Sequence, residues 1–186
     1  MKGWSATDGN VRGALRDATG AVHQRLHEAR PFAAIAEARL GLEGYRDLLG
    51  KIAAFHFTVG AELEVNPHRR QLLMQDLDAL GTASADRVHW TAPATGAARL
   101  GCAYVVEGSA IGGKIIYRQL DYLFGQRPQG RLFFRGSLSD GARWRSLCRQ
   151  LEVEGREPGA LAEMIAGATG AFALFEQLVW QGHPRG

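Results

Sequence analysis

From Ala97 to Gly113 the chain reads as one long amphipathic helix that carries more glycine than a helix holds without a reason. At 100° per residue, Ala97, Gly101, Gly108 and Gly112 fall within roughly 60° of one another, so one face is nearly free of side chains. Each interior glycine costs about 0.5–1 kcal/mol relative to alanine, so Gly101, Gly108, Gly112 and Gly113 together give up on the order of 2–4 kcal/mol. Against a domain stability of about 5–15 kcal/mol, that loss has to be offset. Two arrangements can offset it: a neighbouring helix packed at very short range, or a flat ligand lying on the backbone. The adjacent pair Gly112-Gly113 also predicts a bend, since glycine pairs are recognised kink sites. Both arrangements remain open on this segment alone.

The remainder of the chain is read around that helix. Leu15, Ala18, Val22 and Leu26 form an apolar stripe that predicts a first helix over 11–29, closed near Pro31. Tyr45, Leu48, Leu49, Ile52, Phe55, Val59 and Leu63 predict a second over 43–64, ended by Pro67. A third spans 68–80 with Gly81 as its stop, a loop covers 82–96, and the glycine-bearing helix runs over 97–124. Residues 125–141 form a connection whose Leu132-Phe133-Phe134 touch the core, and helices over 142–152 and 158–181 complete the pattern. No segment alternates with period two between turn signals, so the expected class is all-α, with six to eight helices. Residues 11–181 are expected to be one domain, with flexible ends at 1–10 and 182–186.

Composition removes several function classes. At 186 residues, 46% hydrophobic and 22% charged, the chain suits one domain with its own core. It has no apolar run long enough for a membrane span and no basic-then-apolar start, so the expected location is cytoplasmic. Net charge is +3 and arises from arginine, the only lysines being Lys2, Lys51 and Lys114. Without basic runs interleaved with aromatics or any nucleic-acid motif, a nucleic-acid partner is not expected. Cys102 and Cys148 show no Cys-x-x-Cys spacing and read as buried small hydrophobes. The chain has no phosphate-cradling loop, no nucleophile elbow and no Glu-x-x-His pairs for a di-iron bundle.

His23 lies about 80° round the first helix from Leu15, on the margin of the apolar stripe. One ring edge can be buried there while the other faces a cleft, which suits an axial ligand to heme iron, although a lone histidine in such a place is more often structural. Arg12 and Arg16 share this flank, and Arg16 sits two turns before His23, roughly 10 Å along the axis. His56, among Ala54, Phe55 and Phe57, reads as a core histidine; His68, His89 and His183 read as surface.

Taken together, Leu15-Arg16-Asp17-Ala18-Thr19 with His23 and Leu26, then Asp76-Leu77-Asp78-Ala79-Leu80-Gly81, then Leu100 through Gly113 with its Glu107-Gly108-Ser109-Ala110-Ile111-Gly112-Gly113, resemble the bacterial heme oxygenases. The resemblance continues through Phe133-Phe134, Trp144, Phe172 and Phe175, nearly the whole chain. It implies a helical domain holding heme b, both cofactor and substrate, between a proximal helix bearing His23 and a distal helix bearing Gly108, Ser109, Gly112 and Gly113. His23 would ligate the iron, Arg16 would meet a propionate, and Tyr104 and Phe172 would line the pocket. Gly108, Ser109 and Gly112 would form the catalytic wall that lets backbone approach bound dioxygen. The implied reaction opens the macrocycle to biliverdin with release of carbon monoxide and ferrous iron, fed with electrons by a donor such as a ferredoxin or a reductase. A heme storage, sensing or delivery protein on the same scaffold is the alternative, and a thiaminase-like helical enzyme a more distant one.

Two positions depart from the family pattern. Animal-type members carry an aspartate directly after the first distal glycine, where this chain has Ser109. Many members place an acidic residue four positions after the proximal histidine, where this chain has His27.

Overall fold

The computed structural model describes residues 10–83 and 87–180. The expected flexible ends lie outside the described residues apart from Asn10, as does Gln181, the last residue of the expected domain. All regular structure among the described residues is helical: α1 (Val11–Glu28), α2 (Arg30–Ala36), α3 (Leu42–Phe55), α4 (Pro67–Ala79), α5 (Gly96–Gln119), α6 (Asp121–Phe124), α7 (Leu132–Arg135), α8 (Asp140–Glu154) and α9 (Ala160–Trp180). A π-helical turn, His56–Gly60, extends α3. The all-α expectation holds.

Local chemistry explains most boundaries. The apolar stripe of α1 is buried through Val11, Leu15, Val22 and Leu26, and Thr19 joins it by donating its hydroxyl to the Leu15 carbonyl at 2.7 Å. At the N-terminus of α1, the Glu152 carboxylate of α8 accepts from the amides of Val11 and Arg12, at 2.9 and 3.2 Å. An anion there satisfies free amides and meets the positive end of the helix dipole. Pro31 does more than close α1. It occupies the first turn of α2, where its missing amide is of no consequence, so a short helix stands where a break was expected. Asn66, in the left-handed region at φ 43°, caps α4 ahead of Pro67.

The glycine helix is shorter than expected. α5 runs unbroken through Gly112-Gly113 to Gln119, and Leu120 closes it before the single turn of α6. The 125–141 connection contains a further turn, α7, which buries Phe133 and Phe134. Its N-terminus is capped by the Asp76 carboxylate, which accepts from the amides of Leu132 and Phe133 at 2.8 and 2.7 Å. Four-residue turns carry too few residues to show a period, which is why the described segments outnumber the six to eight expected.

Two long helices organise the packing. α9 crosses α5 closely and also carries α1, whose second half packs Val22, Leu26 and Ala29 against Val179 and Phe175. The first half of α1, with Val11 and Leu15, joins α5, α8 and α9 in the main core. A second core unites α3, α4 and α7 around Tyr45, Leu49, Leu73 and Phe133. α1 and α5 are therefore braced mainly through α9 and α8, which leaves their outer flanks uncovered.

Candidate functional site

On α1, the ring of His23 is partly exposed, its edge set against Phe172 of α9 with centroids 6.2 Å apart. Burial of part of the ring lowers its pKa from the ordinary histidine value, and the neighbouring His27 adds to the effect. The ring is thus held neutral near pH 7, the form that donates a lone pair to a metal. His27 stacks edge-on against it at 4.6 Å. Arg16 is fully in solvent, loosely paired with Asp17 at 3.5 Å, an exposed pairing that holds it little.

On α5 the glycines divide. A Cβ built at Gly101 would lie 1.9 Å from the Met164 carbonyl oxygen of α9, and one at Gly167 of α9 would lie 1.9 Å from the Ala98 oxygen. This half of the bare face is therefore a close helix crossing. At Gly108 the nearest atoms belong to the Trp144 ring, at 3.4 Å, and at Gly112 no atom outside the helix lies within 4 Å. Gly113, expected on the ligand face, is buried instead against α7, where a Cβ would meet the Phe134 carbonyl oxygen at 3.2 Å. Beside the two open glycines, Ile111 and Ile115 stand 44% and 63% exposed. Gly108, Ile111, Gly112 and Ile115 follow one another at i, i+3, i+4 and i+7, so they form one uncovered strip of apolar side chain and bare backbone.

Tyr104 begins that strip one turn before Gly108. It is half-buried against Trp144, with centroids 5.5 Å apart. Burial raises its phenol pKa, while Arg16 and Arg12 of α1 pull it the other way. The charge of these α1 guanidiniums thus reaches a side chain of α5. Phe172, touching His23 and packed on both adjoining cores, is the apolar link between them.

Behind the strip lies a polar cluster that the sequence reading does not anticipate. The Asn66 amide donates to Glu107 Oε2 at 3.0 Å, and Arg143 donates to Glu107 Oε1 at 3.1 Å. Arg69 is 0% exposed, its guanidinium 4.0 Å over the Phe133 ring. Its Nη2 reaches Ser109 Oγ at 3.5 Å, while its Nε and Nη1 are buried without a partner among the described residues. Burial lowers the Arg69 pKa to about 10, against the opposing pull of the Asp140 and Glu107 carboxylates. His56 lies in the same region against Phe133 and is fully buried, which, with Arg69 and Arg70 nearby, drives its pKa well below the ordinary value. Ser109 donates to the Val106 carbonyl at 2.6 Å, so its hydroxyl is held by its own helix.

One of these had a signal in the sequence. Glu107 follows Val105-Val106 within an apolar run, and an acid placed there needs a buried partner. Arg69 had none, because arginine on a polar helix ordinarily marks solvent. The apolar strip, the neutral imidazole and the flanking guanidiniums suit a flat, largely apolar ring with a metal at its centre and acidic groups at its edge. Two cavities elsewhere, of about 720 and 240 Å³, serve other surfaces: Glu43, Asp47 and Lys51 line the first, Trp90, Cys102 and Gly167 the second.

Comparisons with known proteins bear on the family and the fold. The family model "Heme oxygenase" matches residues 10–181. A heme oxygenase of Xanthomonas campestris pv. campestris is 34% identical over 110 residues, a stretch spanning 58% of this chain and 66% of that one. The fold matches the NO- and CO-bound heme oxygenase of Neisseria meningitidis with a TM-score of 0.75, at 23% identity over 92% of this chain and 91% of the other. It also matches heme oxygenase-1 of the cyanobacterium Synechocystis sp. PCC6803 in complex with heme, with a TM-score of 0.71 at 18% identity over 94% and 93% of the two chains. Among the described residues, no helix is long and apolar enough to cross a membrane. With its model match running the length of the described helices, the chain is a member of the heme oxygenase family of enzymes.

Proposed function

We propose that this chain binds heme b between the outer flanks of α1 and α5 and degrades it to biliverdin, carbon monoxide and ferrous iron. Bound heme supplies both the substrate ring and the iron that activates dioxygen, with electrons from an external ferredoxin or reductase. The observation that carries the reading is the neutral imidazole of His23 joined through Phe172 to a domain whose other open flank is the bare strip at Gly108 and Gly112.

Each residue then has a role set by its chemistry. His23 would hold the iron, its imidazole kept neutral because the ring is partly desolvated and His27 lies beside it. A neutral donor gives less electronic push than a thiolate, which suits a reaction in which the oxygen–oxygen bond must not break early. Gly108 and Gly112 leave room for the ring and its small ligand close to the backbone, and Ile111, Ile115, Tyr104 and Phe172 exclude water from the ring faces. Gly113 serves the pocket indirectly by letting α7 approach α5. Arg16, in solvent and unburdened by a strong pair, is free to swing to a propionate and form charge-assisted hydrogen bonds. Ser109, locked to Val106 and within reach of Arg69, anchors ordered water where animal-type members use an aspartate. The reading keeps the expected cytoplasmic location, which cell fractionation checks.

The test is reconstitution with heme, followed by a reductant or ferredoxin system in air. Loss of the Soret band with growth of a bilin absorption is the expected result. Heme that stays intact under these conditions while bound to His23 overturns the enzyme reading in favour of storage or delivery. His23→Ala should change the ferric spectrum; an unchanged spectrum means that another residue is the axial ligand.

A further inference from the structure

The position where many family members have an acid carries a second imidazole. His23 and His27 are four residues apart on α1, so their side chains leave the same flank about 6 Å apart along the axis. The rings are in contact, with centroids 4.6 Å apart and planes at 71°. Both residues are open to solvent on one side, and among the described residues neither ring takes part in a hydrogen bond or an ion pair. Nothing on α1 therefore competes for their nitrogens: the nearby Glu28 carboxylate already accepts from the Gln24 amide at 2.7 Å.

Two histidines at i and i+4 are the arrangement by which a helix presents two nitrogen donors to one metal ion. Zinc–nitrogen bonds of about 2.0–2.1 Å require two ring nitrogens to converge to within hydrogen-bond range of each other, which side chains already in contact reach by small rotations about χ1 and χ2. We infer that His23 and His27 form a two-imidazole chelate for a divalent first-row cation when no macrocycle covers α1. Among the described residues no group of three histidine, cysteine or acidic side chains stands together, so water completes the coordination shell.

The chelate and heme exclude one another, because the His23 nitrogen serves one metal at a time. In one respect the inference rests on the reading above: ring opening would set ferrous iron free beside His23. His27 would then offer the released ferrous ion a second donor beside His23, with water filling the remaining positions and no change of oxidation state.

The experiment titrates the heme-free full-length chain with Ni²⁺, and separately with Co²⁺ and Cu²⁺, by calorimetry near pH 7.5. Wild type, His23→Ala and His27→Ala are compared after circular dichroism has shown each to be folded. One site is expected in the wild type, with affinity rising from Co²⁺ to Ni²⁺ to Cu²⁺. Either single substitution should weaken it at least about tenfold, the loss that milder changes around a metal already cause. Heme loading should abolish it. Unchanged Ni²⁺ affinity in His27→Ala, or no binding by the wild type, overturns the chelate. A His27→Ala chain that binds Ni²⁺ normally but shows an altered ferric heme spectrum makes His27 a positioning partner of His23 instead. The two readings fail separately: the ferric spectrum of His23→Ala judges heme ligation, and the Ni²⁺ titration of His27→Ala judges the chelate.

Discussion

The two halves of α5 use the same residue for opposite ends. In the first half, Gly101 lets α9 press its backbone against α5, and Gly167 of α9 returns the contact at Ala98. In the second half, Gly108 and Gly112 face a tryptophan edge and open space, and the neighbouring isoleucines are uncovered. The backing differs as well. Behind the first half lie Cys102, Met164 and Ala168, all apolar and buried; behind the second lies the Asn66–Glu107–Arg143 cluster with Arg69 and His56. Glycine on a helix face is thus two signals that look alike in sequence. One removes a side chain so that protein can fill the space; the other leaves the space open. Of the expected alternatives, close packing is realised on the first half, and the second is the half proposed for a flat ligand.

The largest effect should come from closing the packed half. Gly101→Ala puts a methyl group where the Met164 carbonyl oxygen already stands, and backbone gives way poorly. Overpacking of this kind costs about 1–3 kcal/mol and occasionally more. For a chain of this size that is a fall of roughly 3–10 °C in Tm, read by thermal or denaturant unfolding. The gain of about 1 kcal/mol from replacing a helical glycine should not rescue it. Gly167→Ala should behave alike, and a chain that tolerates both would mean that α5 and α9 are not in backbone contact. Gly113→Ala, with the Phe134 oxygen at 3.2 Å, should fall between these and the open positions, because α7 is a single turn and yields by a few tenths of an ångström more readily than α9.

Acid should act on the polar half. His56 is buried among Phe55, Phe133, Arg69 and Arg70, so its folded pKa lies well below that of the unfolded chain, chiefly through desolvation. Below about pH 6.5 the unfolded state binds the extra proton, so this contribution to stability is complete above that pH and is lost as pH falls, by at most about 1.4 kcal/mol per pH unit. Asp76 works in the opposite sense. Its pKa is raised to about 6 by burial, against the hydrogen bonds it accepts from the α7 amides and Gly130, so the folded state takes up a proton first as pH falls from 6 toward 4. Denaturant unfolding between pH 7.5 and 5 should therefore show its steepest loss just above pH 6 and flatten below. His56→Asn should remove the steep part; a curve that keeps its shape would assign the proton elsewhere.

The parts legible in sequence were those written as repeats. The stripe of Leu15, Val22 and Leu26 and the run from Tyr45 to Val59 gave α1 and α3 within a residue or two at most ends. The π-helical turn at His56–Gly60 could not be read, because one extra residue per turn leaves no periodic trace over five positions. α2 was hidden by Pro31, which reads as a stop and here acts as a start. At the site, His23 and the glycines were visible because their oddity is local: an imidazole on a stripe margin, bare positions inside a helix. The Arg69 cluster was not, since it is assembled from α4, α5, α7 and α8, and although Glu107 and His56 each hint at burial, Asn66, Arg69 and Arg143 alone look like surface. Even the glycine signal was resolved only by its neighbours, for nothing within residues 97–113 says that Gly113 faces Phe134 while Gly112 faces none.

The smallest effect is the most discriminating. At Gly112 an added methyl group meets nothing within 4 Å, and the helix gains by losing glycine's conformational freedom, so Gly112→Ala should stabilise the heme-free chain by about 0.5–1 kcal/mol. Gly108→Ala should gain slightly less, because its methyl group would touch the Trp144 ring at an ordinary 3.4 Å. Heme affinity should move the other way. A methyl group on the bare strip holds a flat ring off the backbone, and the dispersion attraction forfeited across such a gap is not recovered on the far side. Paired unfolding curves and heme titrations on Gly112→Ala therefore separate the two uses of glycine in one variant. Higher stability with weaker heme binding fits a ligand wall, whereas higher stability with heme affinity unchanged would make the open half of α5 an unfilled surface and move the ring elsewhere.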